Sequence, residues 1–521
     1  MLQMNSSSAA RLALTLFVAT FAGLARTAAD TTWQIFQHEH VLGTSLELKF
    51  AARDTAHAAA DEAAALGEID RLAKILSSYD ATSEFSRWQA THGVAVSVSA
   101  DLFAVLALFD AWRERTHGAL DASAEVAGRL WKSSAQAGRT PTELELDAAV
   151  AAVRQTHWRL DPVARTAIHL SDAPLVLNSF TKSFIIERAA EVAIAAGQLE
   201  SAVVNIGGDL VIRGRAVDAV ALVNPEAEAE NDAPLQHLSL RDRAVATSGG
   251  YRRGVEIGGR WYSHLVDPRT GRPVDHVLSA TVVSPRATDA GALATALCVV
   301  TPEEGLALVA TIADAECLLV LHDGRLLATA GWNSLQNTAA PATPNWVHAA
   351  AAKSSGAAGA IPLPAWDPNY ELLVSFEIAA VGSGRGKKPF VAIWIEDKDG
   401  FPLRTLALWY HGARWLPDLR AWNHADHLRS MAEGTQVVES VASATRGPGK
   451  YSVRWDGKDG GGQAVKPGTY TVAIEVAREH GSHQVMRQEV AFTGQPQHFD
   501  LPANLEVNSA VLDYRRKTAA H

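Results

Sequence analysis

The sequence predicts two domains in series, an α+β domain over residues 30–335 and an all-β, Ig-like sandwich over residues 366–521. Helical and strand patterns alternate as far as residue 335, whereas apolar–polar alternation with turn signals prevails after residue 366. Residues 336–365 are rich in Ala, Pro, Ser and Gly and lack periodicity, which is typical of an interdomain linker. A chain of 521 residues, 47% of them hydrophobic, can bury more than one core.

Residues 1–29 have the pattern of a secretory signal peptide. Arg11 precedes an apolar run over 12–24, and the small residues Thr27 and Ala29 suit cleavage after position 29. The apolar run is short for a transmembrane helix. We therefore expect an exported, periplasmic protein with no stable membrane span once the signal is removed, and an uncleaved N-terminal anchor is the alternative.

Charge and cysteine content narrow the class of protein further. The net charge of −10, with no basic stripe in the sequence, argues against nucleic acid as a partner. The two cysteines, Cys298 and Cys317, both lie in apolar runs. Export permits a disulfide, but nothing in the sequence fixes the geometry that a disulfide requires. Two buried free thiols are therefore expected, with a disulfide as the alternative.

The elements of the first domain follow from the spacing of its apolar residues. Residues 33–51 alternate apolar and polar side chains and predict an edge strand. Apolar side chains at helical spacing predict helices over 56–76, 101–115, 182–196 and 289–300. Apolar runs predict strands at 201–204, 210–213, 219–223, 279–284 and 317–321.

The second domain has the pattern of a β-sandwich. Turns such as 397–400 and 456–460 separate its alternating segments. The predicted strands cover 372–378, 390–396, 404–410, 449–455, 469–477 and 484–492. Aspartates in these turns are interpreted as ordinary turn residues, and residues 411–427, with three histidines and two tryptophans, are a candidate contact loop.

Three turns rich in small residues are the most informative feature of the chain. They read NIGGD at 205–209, TSGG at 247–250 and HLVDPRTG at 264–271. Such turns place backbone N–H groups where an anion can bind, because glycine permits close approach and positive φ. Any one of them alone is more often a plain hairpin turn, but their order and content together are specific.

The order of motifs resembles the FAD:protein FMN transferase family, the periplasmic flavin transferases, over roughly residues 33–332. The further matching motifs are LGT at 42–44, SYD at 78–80, SE at 83–84, GALD at 118–121, LNSFTKS at 177–183 and ALATAL at 292–297. The resemblance implies a flavin-transferase-like fold and Mg²⁺-dependent transfer of FMN from FAD to a Thr or Ser hydroxyl of a target flavoprotein, with release of AMP. Residues 366–515 resemble a domain of unknown function often found behind flavin transferase domains.

The resemblance also implies the ligands of the cation. Phosphoryl transfer builds charge on phosphate oxygens, which Mg²⁺ neutralises while bound to protein oxygens. The implied ligands are Thr295 and the backbone carbonyl of Ser179, whereas the family aspartate falls on Gly291. Asp289 is the candidate substitute, provided that the helix begins after it, because two residues rotate by about 200° in a helix. A helix-capping role for Asp289 is the alternative.

Catalytic roles are implied by the resemblance for Lys182 and His264. A lysine beside a helix N-terminus is unfavourable unless an anion binds there, and His264 is expected to polarise a phosphate or bind the isoalloxazine ring. The flavin-binding residues that the resemblance implies are Leu42, Tyr79, Ala119, Leu120, Asp121, Lys182 and His264. The alternatives are a surface role for Lys182, packing for Tyr79 and His264, and backbone capping for Asp121.

The chain departs from the family pattern in two acidic residues, which are Val176 and Gly291 here, and their loss bears on flavin or metal binding. Three glycines of the family pattern are Asn178, Ser179 and Ser183 in this chain, whereas Leu42 and Leu120 replace Met and Phe and keep an apolar wall. Three functions therefore remain open: the transferase, a non-catalytic flavin- or partner-binding module, and an FAD pyrophosphatase in which water replaces the acceptor hydroxyl. If the protein is the transferase, the β-sandwich is expected to bind a partner or the target protein.

Overall fold

The computed structural model describes residues 32–336 and 366–517, apart from gaps at 43, 53, 197–198, 252, 381–387, 411–412, 434–441, 444, 480 and 493. The predicted signal peptide and residues 337–365 of the predicted linker lie outside the described residues. Across the described ranges, none of the helices combines the length and apolar character needed to cross a membrane.

The first part of the chain mixes helices and strands, as predicted. Its helices are α1 (Thr55–Leu76), α2 (Glu84–Gln89), α3 (Ala100–Arg115), α4 (Glu125–Gln136), α5 (Glu143–Val153), α6 (Thr181–Ala195), α7 (Ala287–Val299) and α8 (Pro302–Val309). Its strands are β1 (Thr32–Val41), β2 (Thr44–Ala52), β3 (Ala95–Ser97), β4 (Trp158–Asp161), β5 (Thr166–His169), β6 (Leu199–Ile206), β7 (Asp209–Gly214), β8 (Asp218–Leu222), β9 (Gln236–Leu240), β10 (Ala244–Gly249), β11 (Gly254–Ile257), β12 (Arg260–Ser263), β13 (Val266–Asp267), β14 (Arg272–Pro273), β15 (Val277–Ser284), β16 (Glu316–Leu321) and β17 (Leu326–Ala328).

An antiparallel sheet of eight strands organises this part, in the order β1-β2-β6-β7-β10-β15-β16-β17. The period of two places successive side chains on opposite faces. Val204 therefore packs into the large core with α6 and α7, while Val203 faces a smaller core with β8, β9 and Trp332. Because α7 is rich in alanine, it lies close to the sheet, and all its side chains except that of Thr295 are fully buried.

Two boundaries differ from those predicted. The predicted edge strand over 33–51 is a hairpin of β1 and β2, since both arms keep the same alternation and only β1 lies at the edge. The helix predicted over 289–300 already begins at Ala287. Cys298 and Cys317 are buried free thiols, as predicted.

The second part is a sandwich of two sheets, as predicted, with one added helix. Its elements are β18 (Tyr370–Ile378), β19 (Phe390–Glu396), β20 (Pro402–Trp409), α9 (Arg420–Glu433), β21 (Ala442–Ser443), β22 (Gly449–Trp455), β23 (Gly468–Ala477), β24 (His483–Phe492), β25 (Gln497–Leu501) and β26 (Val507–Arg516). The sheets β22-β18-β26-β25 and β21-β20-β19-β23-β24 enclose an apolar core. The candidate contact loop at 411–427 is instead partly the start of α9, and Trp422 is buried there.

The β8–β9 connection joins the two parts. Glu230 N donates to Ser452 O of the edge strand β22 at 2.7 Å, and the Asn231 side chain bridges the backbone N–H and C=O of Arg454 at 2.7 and 2.8 Å. The Arg454 guanidinium lies between Asp232, at 2.8 Å, and the buried Glu371, at 2.6 Å. These contacts cover an otherwise open sheet edge.

Candidate functional site

Five of the sequence motifs meet at one end of the eight-stranded sheet. They are the segments 78–80, 177–183, 205–209, 246–249 and 292–297. The contacts that join them are Leu177 N to Ser78 Oγ at 3.2 Å, Ser179 O to Thr295 Oγ1 at 3.3 Å, Ser248 Oγ to Thr295 Oγ1 at 3.5 Å, and Lys182 Nζ to Asp209 Oδ2 at 3.7 Å. Residues far apart in sequence therefore form one site.

Thr295 is the centre of a group of oxygen atoms. Its Oγ1 lies 3.3 Å from Ser179 O, 3.2 Å from Gly291 O and 3.5 Å from Ser248 Oγ, and we call these four oxygens the Thr295 cluster. Each hydroxyl supplies a single hydrogen, whereas carbonyl oxygens only accept. The cluster therefore presents oxygen atoms only, the donor type that hard cations such as Mg²⁺ take.

The structure does not bring Asp289 to this cluster. Because α7 begins at Ala287, Asp289 lies in its first turn, about 200° around the helix from Gly291. Its carboxylate receives bonds of 2.8 and 2.9 Å from the guanidinium of Arg286. The condition for a substitute ligand is thus not met. The capping interpretation is also wrong, since Arg286 is the N-cap residue and no side chain caps the helix.

The start of α6 combines an uncapped helix N-terminus with a lysine side chain. Phe180 occupies the N-cap position and offers no side-chain acceptor to the first turn. Lys182 follows, 40% exposed, with its Nζ 3.7 Å from Asp209. Burial raises the pKa of Asp209, and the neighbouring ammonium of Lys182 acts in the opposite direction. The uncapped N–H groups and the lysine together suit an anion such as a phosphate.

One ring nitrogen of His264 makes a hydrogen bond to the backbone, and the other can accept a proton. Its Nδ1 lies 3.1 Å from the carbonyl oxygen of Arg253, which can only accept, so Nδ1 carries the hydrogen. Although the side chain is accessible, the protein atoms around it remove hydration from the ring and lower the pKa of His264. The neutral ring therefore keeps Nε2 as an acceptor at neutral pH.

An exposed aromatic ring stands beside the site. Tyr79 is 75% exposed, and its Oη accepts a hydrogen bond of 2.5 Å from Asn178 Nδ2, next to Ser179. The alternative that Tyr79 packs under the first helix is therefore wrong. Exposed aromatic faces adjoining a polar site are suited to stacking on a planar ring system.

The other proposed flavin-binding side chains have structural contacts. Ala119 and Leu120 are buried in cores. Asp121 caps the short helix that follows it by accepting from Ser123 N at 2.8 Å, and it pairs with Arg113 at 2.7 Å. The capping alternative for Asp121 is thus observed. Leu42, at φ 50°, lies in the β1–β2 turn and packs against the large core.

A family model described as the ApbE family matches residues 42–319, more than half of the chain. The chain belongs to the ApbE family. A second model, described as "Predicted periplasmic protein (DUF2271)", matches residues 371–509.

Relatives of the ApbE part carry a named activity. An FAD:protein FMN transferase of Treponema pallidum is 30% identical over 318 residues, covering 56% of this chain and 86% of the relative. One of Vibrio cholerae serotype O1 is 30% identical over 292 residues, covering 54% and 84%. The crystal structure of the ApbE protein from Thermotoga maritima shares the fold, with a TM-score of 0.52 at 23% identity over 59% of this chain and 100% of that chain.

The oxygens of the ApbE site fit a hard divalent cation, although they carry no formal charge. Within the described ranges, no three His, Cys, Asp or Glu side chains group as metal ligands. Mg²⁺ takes oxygen ligands and in proteins usually binds through carboxylates together with substrate phosphates and waters, so these neutral oxygens suit it in type but supply no charge. Next to Gly291, whose carbonyl belongs to the cluster, the buried Ser183 Oγ has no hydrogen-bond partner.

Sequence reasoning assigned no role to Ser183, Asn178 or Ser248. The only signal for Ser183 was the departure from the family glycine, and its contact with Gly291 requires the packing of α6 against α7 to be known. Asn178 was visible only as another departure in the same ApbE motif.

Proposed function

We propose that this ApbE-family protein transfers FMN from FAD to a Thr or Ser hydroxyl of a target flavoprotein and releases AMP, with Mg²⁺ bound at the Thr295 cluster. The observation that carries the proposal is the meeting of a cationic helix N-terminus and an oxygen cluster at Ser179, which joins them along the chain. A pyrophosphate with a bound divalent cation requires both kinds of partner.

The pyrophosphate is held from the α6 side. The first-turn N–H groups of α6 and the Lys182 ammonium neutralise phosphate charge as it develops. Asp209 keeps the ammonium near the helix N-terminus without a tight ion pair, since their separation is 3.7 Å. Lys182 is thus free to turn toward an anion.

The cation is held from the α7 side. When bound, Mg²⁺ supplies charge neutralisation at the phosphate and leaving-group oxygens. Thr295 Oγ1 and Ser179 O would be donors to it, and their separation of 3.3 Å supports this assignment. Thr295 is the one residue of α7 whose side chain is not fully buried, so its hydroxyl is accessible from the site.

The remaining roles in the proposed reaction are acceptance of the hydroxyl proton and binding of the flavin ring. The acceptor hydroxyl oxygen bonds to the FMN phosphorus, the P–O bond to AMP breaks, and AMP leaves with the bridging oxygen. The hydroxyl proton passes to Nε2 of neutral His264, whose Nδ1–H is held by Arg253 O. Tyr79 offers its exposed face to the isoalloxazine ring.

A non-catalytic flavin- or partner-binding role is the second candidate. It is favoured by the lack of a carboxylate in the Thr295 cluster, where Gly291 contributes only its carbonyl. Hydrolysis of FAD to FMN and AMP, with water in place of the acceptor hydroxyl, is the third.

Export to the periplasm is part of the proposal. It rests on the signal pattern of residues 1–29 and on the description of the second domain's family as predicted periplasmic. The β-sandwich domain is proposed to bind the target protein or another partner, and its contact through Arg454 holds it beside the ApbE domain.

A transfer assay tests the function. The chain from residue 30 onward is incubated with FAD, Mg²⁺ and a flavoprotein domain that a known FAD:protein FMN transferase modifies. We expect the mass of covalent FMN on the acceptor together with AMP release, and loss of both in Thr295→Val. AMP without acceptor modification would indicate hydrolysis, and FAD binding without AMP would indicate the non-catalytic role.

A further inference from the structure

Helices α6 and α7 are in close contact where Ser183 faces Gly291. A Cβ atom added to Gly291 would lie 2.3 Å from Ser183 Oγ, 3.1 Å from Ser183 Cβ and 3.2 Å from Phe180 Cβ. Real Cβ contacts are not this short, so position 291 has no room for a side chain while Ser183 is present. The Ser183 hydroxyl therefore occupies the space into which a side chain at position 291 would extend.

This hydroxyl is buried and has no partner. Ser183 is 1% exposed, and its Oγ makes no hydrogen bond. A helical serine usually relieves such burial by bonding to the carbonyl four residues earlier. Here that residue is Ser179, whose carbonyl oxygen accepts from Thr295 instead. An unsatisfied buried hydroxyl costs about 1–3 kcal/mol, so its presence calls for an explanation.

The position of Ser183 relates it to the Thr295 cluster. Ser183 lies in the first turn of α6, four residues after Ser179 in the preceding turn, and it faces Gly291, which lies one helical turn before Thr295 on α7. Ser179 O and Gly291 O both belong to the cluster. The nearest acidic side chain along α7, Asp289, is paired with Arg286.

We propose that the Ser183 hydroxyl is a further oxygen donor to the divalent cation of this site, in place of the carboxylate that the family pattern has at position 291. The proposal rests on the proposed function, because it assumes a cation at the Thr295 cluster. The hydroxyl and carbonyl oxygens of the Thr295 cluster and of Ser183 carry no net charge, so the phosphate oxygens of FAD must supply the negative charge that holds the cation. The cation therefore binds strongly only together with FAD.

Binding of Mn²⁺, a paramagnetic substitute for Mg²⁺, tests this role without measuring activity. Electron paramagnetic resonance of free Mn²⁺ gives its Kd for the whole protein with and without FAD. We expect Mn²⁺ to bind the parent protein in the presence of FAD, and Ser183→Ala to weaken that Kd about tenfold or more. Flavin fluorescence without metal checks that Ser183→Ala still binds FAD.

The matched control is Ser284→Ala. Ser284 Oγ is also buried without a partner, but Ser284 pairs with Ala244, at the end of β15 away from the site. We expect its Mn²⁺ affinity to equal that of the parent. Equal affinity in Ser183→Ala and the parent would overturn the role of Ser183 alone, whereas no Mn²⁺ binding by the parent with FAD would overturn the metal-dependent function too.

A second variant tests the exchange of side chains directly. Ser183→Gly combined with Gly291→Asp removes the hydroxyl that blocks position 291 and restores a carboxylate there. We expect this double variant to bind Mn²⁺ more tightly than Ser183→Gly and, unlike the parent, without FAD. Binding no tighter than that of Ser183→Gly, in a double variant that unfolds cooperatively, would overturn the proposal.

Discussion

Substitution of Gly291 by alanine tests how closely α6 and α7 pack at the site. In an open helix, Gly→Ala stabilises by about 0.5–1 kcal/mol, because glycine loses more backbone entropy on folding. At position 291 the added carbon would meet Ser183 Oγ at 2.3 Å and Phe180 Cβ at 3.2 Å. Overpacking of this kind costs about 1–3 kcal/mol. We therefore expect Gly291→Ala to lower the free energy of unfolding by about 1–2 kcal/mol.

Urea denaturation measures this effect against a matched control. Gly67 lies in α1, with nothing within 4 Å of an added Cβ, so Gly67→Ala is expected to stabilise by about 0.5–1 kcal/mol. In a Ser183→Gly background two of the three short contacts disappear, and Gly291→Ala should become neutral or stabilising. The coupling is expected to be about 1–3 kcal/mol. The same cost of Gly291→Ala in both backgrounds would refute the argument.

The remaining predictions concern the domain contact, the thiols and a buried histidine. Arg454→Ala leaves the buried Glu371 with Arg515 alone, so we expect the free energy of unfolding measured in urea to fall by about 3 kcal/mol. The control Arg325→Ala removes an exposed ion pair and should lower it by less than about 1 kcal/mol. Equal losses in the two variants would contradict the stabilising role of Arg454. Burial raises the pKa of both cysteine thiols to about 12, so Ellman's reagent should react with neither in the folded protein and with both in guanidinium. Burial also lowers the pKa of His157 in the folded protein. When the pH falls below about 6.5, the pKa of histidine in the unfolded chain, the unfolded state takes up the proton first, so the free energy of unfolding falls. In His157→Gln, the free energy of unfolding measured in urea should depend less on pH in this range. The same pH dependence in the variant and the parent would contradict the role of His157.

Periodicity predicted elements that bury one clear face, whereas the helices α2, α4, α5 and α8 were not predicted. The helix at 56–76 and the strand at 201–204 lie within α1 and β6. The β1–β2 hairpin was missed because its two arms continue the same alternation across a tight turn. The strands β25 and β26 and the helix α9 were also missed, and the histidines and tryptophans of α9 gave the impression of a contact loop.

Only the site residues that belong to sequence motifs could be predicted from the sequence. The resemblance pointed to Lys182, Thr295 and Ser179, and the structure brings them to one end of the sheet. The resemblance could not show on which side of α7 Asp289 lies, because that depends on where the helix begins. Nor could it show that Ser183 fills the space beside Gly291, since that contact arises only when two helices distant in sequence pack together.

The central claim is that this site moves FMN from FAD to a protein hydroxyl. Intact-mass spectrometry of an acceptor flavoprotein domain, after incubation with the full chain, FAD and Mg²⁺, tests it most directly. We expect an added FMN on a Thr or Ser of the acceptor, AMP in equal amount, and neither product after removal of Mg²⁺ by a chelator. An unmodified acceptor, under conditions in which a known FAD:protein FMN transferase modifies the same domain, would contradict it.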